Sequence, residues 1–480
     1  MPPKGFMESS HLPICVDLDG TLVTTDTLVE GIIKLCKQNP LKIFLLPLWL
    51  LHGKSRLKRE VATRAMPNVA LLPYNQPLIQ YLKERKRSGH QLFLVTASDQ
   101  AMADAVGKHL GIFSENIGSH GHTNLKASQK TRLLIDRFGE KKFIYAGNAP
   151  SDITIWQHAA AAIVVNAKPS TKKYASQGTT IANVFPKDKI TASAVIKQLR
   201  IHQWLKNILL FIPILTAHQA RNIPALEAAA LGFFSFSALA SAIYLINDLL
   251  DLEADRQHQT KKYRPFAAGK IHPLLGIASI PILVGISLIL SVGLPSVFFS
   301  VLLIYGITNF AYSLFLKQII IVDVVILASL YSLRIFAGSA ATGIPTSAWL
   351  FAFAMFLFMS LALLKRFAEL HNGIKMHKHN AIGRGYTSTD RMPISILGIT
   401  SGYFSLAIFA LYINSQTVTQ LYKQPPFLWL LIPLFMIWVS RIWLAAFRGE
   451  MIEDPLMYTT KDPISYIILI GCFVSVMAAT

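Results

Sequence analysis

The sequence predicts a multidomain chain. An α/β, Rossmann-like domain with a helical insertion occupies residues 1–185, a linker helix 186–204, and an all-α transmembrane bundle of about nine helices 205–480. Three observations predict it. Apolar residues alternate with charged stretches up to about Lys197 and gather into long runs beyond it. Charged residues are 15% and hydrophobic residues 52% of the 480, against roughly 25% charged in a soluble globular protein. The 46 Lys and Arg outnumber the 26 Asp and Glu, for a formal charge of +20. That excess suits anionic lipid or phosphorylated substrates. Nucleic acid is not expected, because the basic residues follow the loops rather than one face. Cys15, Cys36 and Cys472 are too few and too scattered for a disulfide framework or a zinc site.

The first apolar stretch, Ile14-Cys15-Val16, reads as a strand, and Asp17-Leu18-Asp19-Gly20-Thr21 follows it. Two aspartates two apart, then a glycine turn, present both carboxylates beyond the C-terminal edge of a sheet. One can attack phosphorus while the other protonates the leaving alcohol. Residues from about 26 to 72 read as a helical cap inserted after this strand. Within it Ile43 to Leu51 is apolar apart from Pro47 and too short to span a bilayer. We expect this run in the core of the cap, with a dip into the membrane surface as the alternative. Leu92-Phe-Leu-Val-Thr96-Ala-Ser98 is a second strand ending in a hydroxyl, Asn124-Leu-Lys126 supplies a cation, and Gly147-Asn148-x-x-Ser151-Asp152 follows the strand Phe143–Ala146.

These four segments, in this order, resemble the signatures of haloacid dehalogenase-type phosphatases. The resemblance implies Asp17 as nucleophile and Asp19 as acid and base. It implies Thr96 and Lys126 on the phosphoryl oxygens, and Mg2+ held by Asp17, Asp19 and Asp152. Asn148 stands where family members often carry a second acid.

Between the halves, Ile190, Val195, Ile196, Leu199, Ile201 and Trp204 are interleaved with basic residues. This pattern fits an amphipathic helix at a membrane interface or a solvated linker helix. Nine apolar segments follow, at about 205–219, 226–246, 273–292, 295–315, 319–340, 346–364, 393–413, 427–446 and 464–480. Most approach the roughly 20 residues needed to cross a bilayer, the first and last being short enough to be partly re-entrant. With nine spans, the loops after the even-numbered ones share a side with the N-terminal domain. They carry Arg256, Lys261, Lys262, Arg264, Lys270, Lys317, Lys365, Arg366, Lys375, Lys378, Arg384, Arg391, Arg441, Arg448 and Lys461, against Arg221 and Lys423 on the other side. By the positive-inside rule we expect a multi-pass protein of the cytoplasmic membrane, its N-terminal domain cytoplasmic, with no cleavable signal peptide.

The second segment ends in Asn247-Asp248-Leu-Leu-Asp251-Leu-Glu253-Ala-Asp255-Arg256. Offsets of three and four place Asp248, Asp251 and Asp255 on one helix face, with Asn247 a turn before Asp251. Like charges so placed repel, and a hard divalent cation such as Mg2+ relieves them. Lys261, Lys262, Arg264 and Lys270 lie just downstream, where cations can absorb the charge of a departing diphosphate. The run Asn247-Asp248-x-x-Asp251-x-x-x-Asp255, with Arg264-Pro265, resembles the first signature of the UbiA superfamily of intramembrane prenyltransferases, and nine helices fit that superfamily. Its second aspartate-rich motif is replaced here by Lys365-Arg366-Phe-Ala-Glu369-Leu370.

Lys365-Arg366-x-x-Glu369 is similar to the decaprenyl-phosphate phosphoribosyltransferase branch. So are Arg200-Ile-His-Gln203-Trp204-Leu-Lys206-Asn207 and Gly449-Glu450-Met-Ile-Glu453-Asp454-Pro455 with Asp462, although Ile201 and His202 stand where that branch usually has Pro and Lys. The resemblance implies transfer of 5-phosphoribosyl from phosphoribosyl pyrophosphate to a polyprenyl phosphate. Asp248, Asp251 and Asp255 would hold Mg2+ in the catalytic centre. Lys206, Asn247, Lys261 and Arg264 would serve the donor, and Lys365, Arg366 and Glu369 a phosphate, most simply the lipid's. Arg334 and Tyr331, one turn apart inside a span, are further substrate-binding candidates. The alternative is a UbiA-type prenyltransferase moving a polyprenyl chain from its diphosphate to an aromatic or isoprenoid acceptor. The fused phosphatase would remove the 5-phosphate of the product. A homo-oligomer is compatible with the sequence.

Overall fold

The computed structural model describes residues 11–120, 125–375, 385–451 and 455–480. Asn124, Lys378, Arg384, Glu453 and Asp454, named above, lie outside the described residues. Packing divides the chain into two compact units, one of Met1–Arg200 with Tyr244–Pro281 and one of Ile201–Ile243 with Ile282–Thr480. The boundary therefore cuts the membrane half, assigning the aspartate-rich segment to the same unit as the N-terminal domain.

In the first unit, β1 (Ile14–Val16), β2 (Leu92–Asp99), β3 (Glu115–Ser119), β4 (Ile144–Gly147), β5 (Ala161–Val165) and β6 (Thr180–Phe185) form one parallel sheet in the order β3-β2-β1-β4-β5-β6. The strands read as apolar runs because both faces are covered. Alternate residues go to opposite sides. Ile14, Val16, Leu92, Leu94, Ile144 and Ala146 enter one buried cluster, while Cys15, Phe93, Val95 and Tyr145 enter another. Strand order reverses between β1 and β4, which opens a crevice beyond their carboxyl ends. Asp17 and Asp152 follow those two strands.

The cap is helical as expected, with helices Thr27–Gln38, Leu46–Leu51 and Lys54–Ala65 and short 3-10 turns at Pro40–Leu45 and Val69–Leu71. The expectation that Ile43–Leu51 forms its core is corrected. Leu41, Phe44 and Leu51 are 74, 76 and 84% exposed. The cap core is built by Leu35, Trp49, Leu57, Val61 and Ala65. Leu46–Leu51 is too short to bury more than one stripe, and Trp49 fills it. After β6 the linker is shorter than the sequence implies, a helix of Ala192–Gln198.

Seven helices are long and apolar enough to cross a membrane among the described residues: Ile223–Leu250, Pro273–Ser291, Ser296–Leu314, Val322–Thr342, Ala348–Gly373, Ser388–Ile413 and Pro425–Arg448. The expected first and ninth spans take shorter forms. The ninth is the 17-residue helix Pro463–Ala479. The first is a 3-10 helix, Ile201–Phe211, running into an α-turn, Ile212–Thr216. Pro213 explains the change, since it has no N–H to continue an α-ladder but suits the first turn of a new helix. In the second unit this segment packs closely on the helix Val322–Thr342. A Cβ on Gly338 would lie 2.0 Å from the carbonyl oxygen of Leu210, so only glycine fits there.

Candidate active sites

At the carboxyl edge of the sheet, Asp17 and Asp19 leave β1 through a turn at Gly20, whose φ of 74° lies in the left-handed region. Side chains are excluded there twice over, because a Cβ on Gly20 would fall 2.1 Å from Asn148 Nδ2. Lys130, on the helix Ser128–Phe138, donates to Asp17 Oδ1 at 2.8 Å and to the Tyr145 hydroxyl at 3.0 Å. This corrects Lys126, which is exposed while Lys130 is buried. Lys126 precedes the helix and Lys130 lies in its first turn, four residues on, and the sequence spacing alone could not tell which faces inward.

Asp19 is held by two donors. Its Oδ1 accepts from Thr27 N at 2.8 Å and its Oδ2 from Ser98 Oγ at 2.5 Å. Burial first, then the nearby charge of Asp26, pushes its carboxyl up to about 6. A group in that range can carry a proton to a leaving oxygen near neutral pH. Both its oxygens are engaged by these donors, an arrangement compatible with the expected role of an acid. Thr96 is buried, and its hydroxyl oxygen accepts from Ser98 N at 3.0 Å. Asp152 is buried. Its Oδ2 accepts from the N–H groups of Asn148 and Ala149, both at 2.9 Å, and burial together with the Asp17 charge raises its carboxyl to about 6. Asp17 and Asp152, carboxylates beyond the ends of the paired strands β1 and β4, are oxygen donors of the kind a hard cation takes.

The aspartate-rich segment belongs to the same unit. The helix Ile223–Leu250 gives way at Asp251 to a second helix, Leu252–Gln257. Asp248 and Asp255 converge on one guanidinium, Arg264 Nη1 lying 3.1 Å from Asp248 Oδ1 and 2.5 Å from Asp255 Oδ2. Asp248 Oδ2 also accepts from Arg200 Nε at 3.2 Å and from Gln198 Nε2 at 3.1 Å. Arg200 has a φ of 53°, a left-handed backbone that turns its side chain into the cluster. Asn247 Oδ1 is buried without a hydrogen-bond partner.

Asp251 departs from the shared face that its spacing predicts and pairs with Lys37 at 2.8 Å. It does so because the segment is held against the cap helix Thr27–Gln38. Arg256 grips Glu30 through both nitrogens at 2.7 and 2.6 Å, the two side chains being 6 and 2% exposed. Lys34 pairs with Glu253 at 3.1 Å, and Glu253 also accepts from Asn68 N at 2.7 Å. Lys261 lies on the exposed turn Lys261–Tyr263. Among the described residues no group of three His, Cys, Asp or Glu is arranged to hold a metal. The oxygen-rich set of Asp248, Asp255 and the orphaned Asn247 Oδ1 nevertheless suits a hard cation by its chemistry.

In the second unit Lys206, Asn207, Tyr331 and Arg334 come together. Lys206 Nζ and Arg334 Cζ lie 5.4 and 5.2 Å from the Tyr331 ring centre. Arg334 is buried and spends its N–H groups on Asn207 Oδ1 at 2.9 Å, Leu330 O at 2.5 Å and the Tyr305 hydroxyl at 3.0 Å. It braces Asn207 and packs over the Tyr331 ring rather than presenting a free fork. Arg366 is corrected likewise. It is 1% exposed and bonded to Asp323 at 2.7 Å, to Glu369 and to the Tyr312 hydroxyl at 3.3 Å. A guanidinium so occupied serves the packing of the bundle, and Lys365, half-buried beside it, is left as the phosphate candidate. Asp323, whose Oδ1 accepts from the Tyr386 hydroxyl at 2.5 Å, was not read from the sequence, where it is a lone acid at the start of a span. In the last loop Asp462 pairs with Arg441 at 3.4 Å and caps the helix Pro463–Ala479.

Comparison with known proteins bears on the family of the chain. The profile of the UbiA prenyltransferase family matches residues 208–451. The uncharacterized protein y4nM of Sinorhizobium fredii is 34% identical over 461 residues, covering 95% of this chain and 89% of that protein. Nodulation protein NoeC of Azorhizobium caulinodans is 32% identical over 274 residues, 57% of this chain and 88% of that one. The decaprenyl-phosphate phosphoribosyltransferase of Mycobacterium tuberculosis is 35% identical over 183 residues, 37% of this chain and 61% of that enzyme. Among solved structures, a UbiA homolog from Archaeoglobus fulgidus bound to GPP and Mg2+ aligns at 17% identity and a TM-score of 0.44, over 59% of this chain and 99% of that one. A substrate-bound phosphoserine phosphatase aligns at 16% identity and a TM-score of 0.27, over 38% of this chain and 95% of that one. With a family profile across half its length and a relative alike from end to end, this multi-pass chain belongs to the UbiA prenyltransferase family.

Proposed function

We propose that the membrane half transfers 5-phosphoribosyl from phosphoribosyl pyrophosphate to a polyprenyl phosphate. The observation that carries the reading is the convergence of Asp248 and Asp255 on Arg264, with Arg200 on Asp248. Paired carboxylates supply oxygens to a metal, and adjoining guanidiniums supply N–H donors to the diphosphate oxygens beside it. Asp248, Asp255 and Asn247 would hold Mg2+, with Asp251 at the edge of the set. When bound, Mg2+ would neutralise charge on the leaving diphosphate. In the reaction the ribose C1–O bond to diphosphate breaks and a C1–O bond to the lipid phosphate forms. An anionic phosphate nucleophile needs placement and charge screening rather than a base. Lys206, steadied on Tyr331, and Lys365 are the cations proposed to provide that placement.

The N-terminal domain is proposed to act as a phosphatase on the product. Asp17 attacks the 5-phosphate, Lys130 and Thr96 hold its oxygens, and Asp19 gives a proton to the departing ribose oxygen; water, giving a proton back to Asp19, then displaces phosphate from Asp17. Asp17 and Asp152 would hold Mg2+ there. The ion pairs between Thr27–Gln38 and Leu252–Gln257 support a shared side of the membrane for the phosphatase and the aspartate loop. Two crossings must then lie between residues 200 and 251. The helix Ile223–Leu250 supplies one. Ile201–Thr216 supplies the other, because 3-10 geometry rises about 2.0 Å per residue and the segment reaches about 30 Å, a hydrocarbon thickness. Together with the basic loops, this supports an inner-membrane chain with both sites facing the cytoplasm.

Purified protein in liposomes, offered labelled phosphoribosyl pyrophosphate and labelled prenyl diphosphate side by side, tests the transfer. Label from the ribose donor should enter lipid with wild type and fail with Asp248→Asn. Transfer from the prenyl donor alone would replace this reading with the aromatic or isoprenoid one. Phosphate release from the ribosylated lipid, lost in Asp17→Asn, tests the second step.

A further inference from the structure

The chain between the cap helices Thr27–Gln38 and Lys54–Ala65 exposes more apolar surface than a water-facing loop tolerates. Leu41, Ile43, Phe44, Leu48, Leu50 and Leu51 are all exposed in succession, and Trp49 alone among the larger side chains of Leu48–Leu51 turns inward. A contiguous apolar patch of this kind marks an interaction site. Its charge is one-sided. Lys42, Lys54 and Arg59 lie in or beside the run, and no acid falls between Glu30 and Glu60. An apolar ridge flanked by basic residues is complementary to the surface of an anionic bilayer.

The location points to the same partner. Lys37, in the last turn of Thr27–Gln38, lies 2.8 Å from Asp251, the residue at which the membrane-length helix Ile223–Leu250 ends. A cleft lined by Ile33, Lys37, Leu249 and Leu250 continues that contact. The exposed loop therefore begins three residues beyond a contact with the end of that helix. The helices it joins also roof the phosphate-ester site. Thr27 N donates to Asp19, Lys58 Nζ reaches Ala97 O at 2.5 Å, and a cleft lined by Thr27, Leu28, Lys58, Val61, Ser98 and Met102 lies between them.

We infer that residues 40–51 insert into the cytoplasmic leaflet of the chain's own membrane and seat the phosphatase cleft at the head-group level. The substrate of that site is then a phosphate monoester carried by a lipid rather than one dissolved in water. The identity of the substrate class rests on the phosphatase reading above, whereas the insertion does not.

The test uses the full chain in vesicles of phosphatidylcholine and phosphatidylglycerol. A Phe44→Cys variant, in a background with Cys36→Ser and Cys472→Ser, carries an environment-sensitive fluorophore. Acyl-chain-brominated lipid should quench it. Quenching only by aqueous iodide, or shielding accompanied by cross-links to a second copy, overturns the insertion. The second variant is Leu41→Asn with Phe44→Asn, Leu48→Asn and Leu51→Asn, all at exposed positions. It should hydrolyse a short soluble alkyl phosphate at the wild-type rate and a vesicle-borne phosphate monoester at least about tenfold more slowly. Equal loss on both substrates, or on neither, overturns the substrate class. A quenched fluorophore with no phosphate released from either probe overturns the phosphatase reading and, with it, the substrate class, and leaves the insertion standing.

Discussion

Replacing Lys130 by methionine removes the ammonium that sits 2.8 Å from Asp17 Oδ1 in a position only 3% exposed. At an effective dielectric constant near 20 the gross attraction at that distance is about 6 kcal/mol. Much of it steadies the resting carboxylate, so the catalytic share is smaller. Removal of one preorganised donor from developing charge costs about 3–4 kcal/mol, or roughly a hundredfold to a thousandfold in rate. Lys130→Met should therefore lower kcat/KM for phosphate monoester hydrolysis by that factor, with the far-ultraviolet circular dichroism unchanged. Lys126→Met, on an exposed side chain, should stay within about threefold of wild type. The assay is phosphate release by purified full-length protein under identical Mg2+. An active Lys130→Met beside an inactive Lys126→Met would refute the placement of the helix Ser128–Phe138 and restore the sequence reading.

The remaining predictions concern a proton and two buried ion pairs. Ser98→Ala removes the hydrogen bond that lowers the Asp19 pKa from where burial and Asp26 put it. The acid then keeps its proton to higher pH, and the alkaline limb of kcat/KM for an alkyl phosphate should move up from about 6; a downward move would contradict the assignment of Asp19 as the acid. Glu30→Gln strands Arg256 in a nearly buried site, a change that costs about 3–5 kcal/mol when one partner goes, while Glu30→Gln with Arg256→Met should recover most of it. Limited proteolysis and thermal unfolding read the difference, and equal single and double variants would mean the pair is not buried in solution. Arg366→Met should destabilise the bundle by a similar amount through the stranded Asp323, with partial rescue by Asp323→Asn. Lys365→Met should instead slow lipid ribosylation without lowering the unfolding temperature.

What the sequence made legible follows from locality. Asp17, Gly20, Thr96 and Asp152 sit at the ends of buried apolar strands, and both the strand pattern and the turn chemistry are written within a few residues. The cap was legible as helical, but not which of its apolar residues turn inward, because one short helix can bury only a single stripe and the sequence does not say which. Lys126 and Lys130 pose the same problem at one-turn spacing. The roles of Arg334 and Arg366 were hidden for another reason. A cation in a span must be paired, and its partners, Asn207, Tyr305, Asp323 and Tyr312, lie 29 to 127 residues away.

The aspartate cluster shows why such distances matter for function. Spacing alone puts Asp248, Asp251 and Asp255 on one face, and an unbroken helix would keep them there. The break at Asp251 leaves Asp248 and Asp255 facing Arg264 and releases Asp251 to Lys37, 214 residues away in the chain. One cap helix thus meets the phosphate-ester site at its first turn, through Thr27 on Asp19, and the aspartate loop at its last, through Lys37 on Asp251. Twelve residues of helix span about 18 Å. A displacement of the cap at either end is carried to the other by a rigid element, held in its first turn by the Glu30–Arg256 pair. Coupling of the two chemistries therefore needs no contact between their substrates, and Glu30→Gln should weaken it while leaving Asp17, Asp19, Asp248 and Asp255 in place. The measurement is the effect of saturating ribose donor on phosphatase KM, expected in wild type and diminished in the variant; an effect of equal size in both would remove the helix from the path.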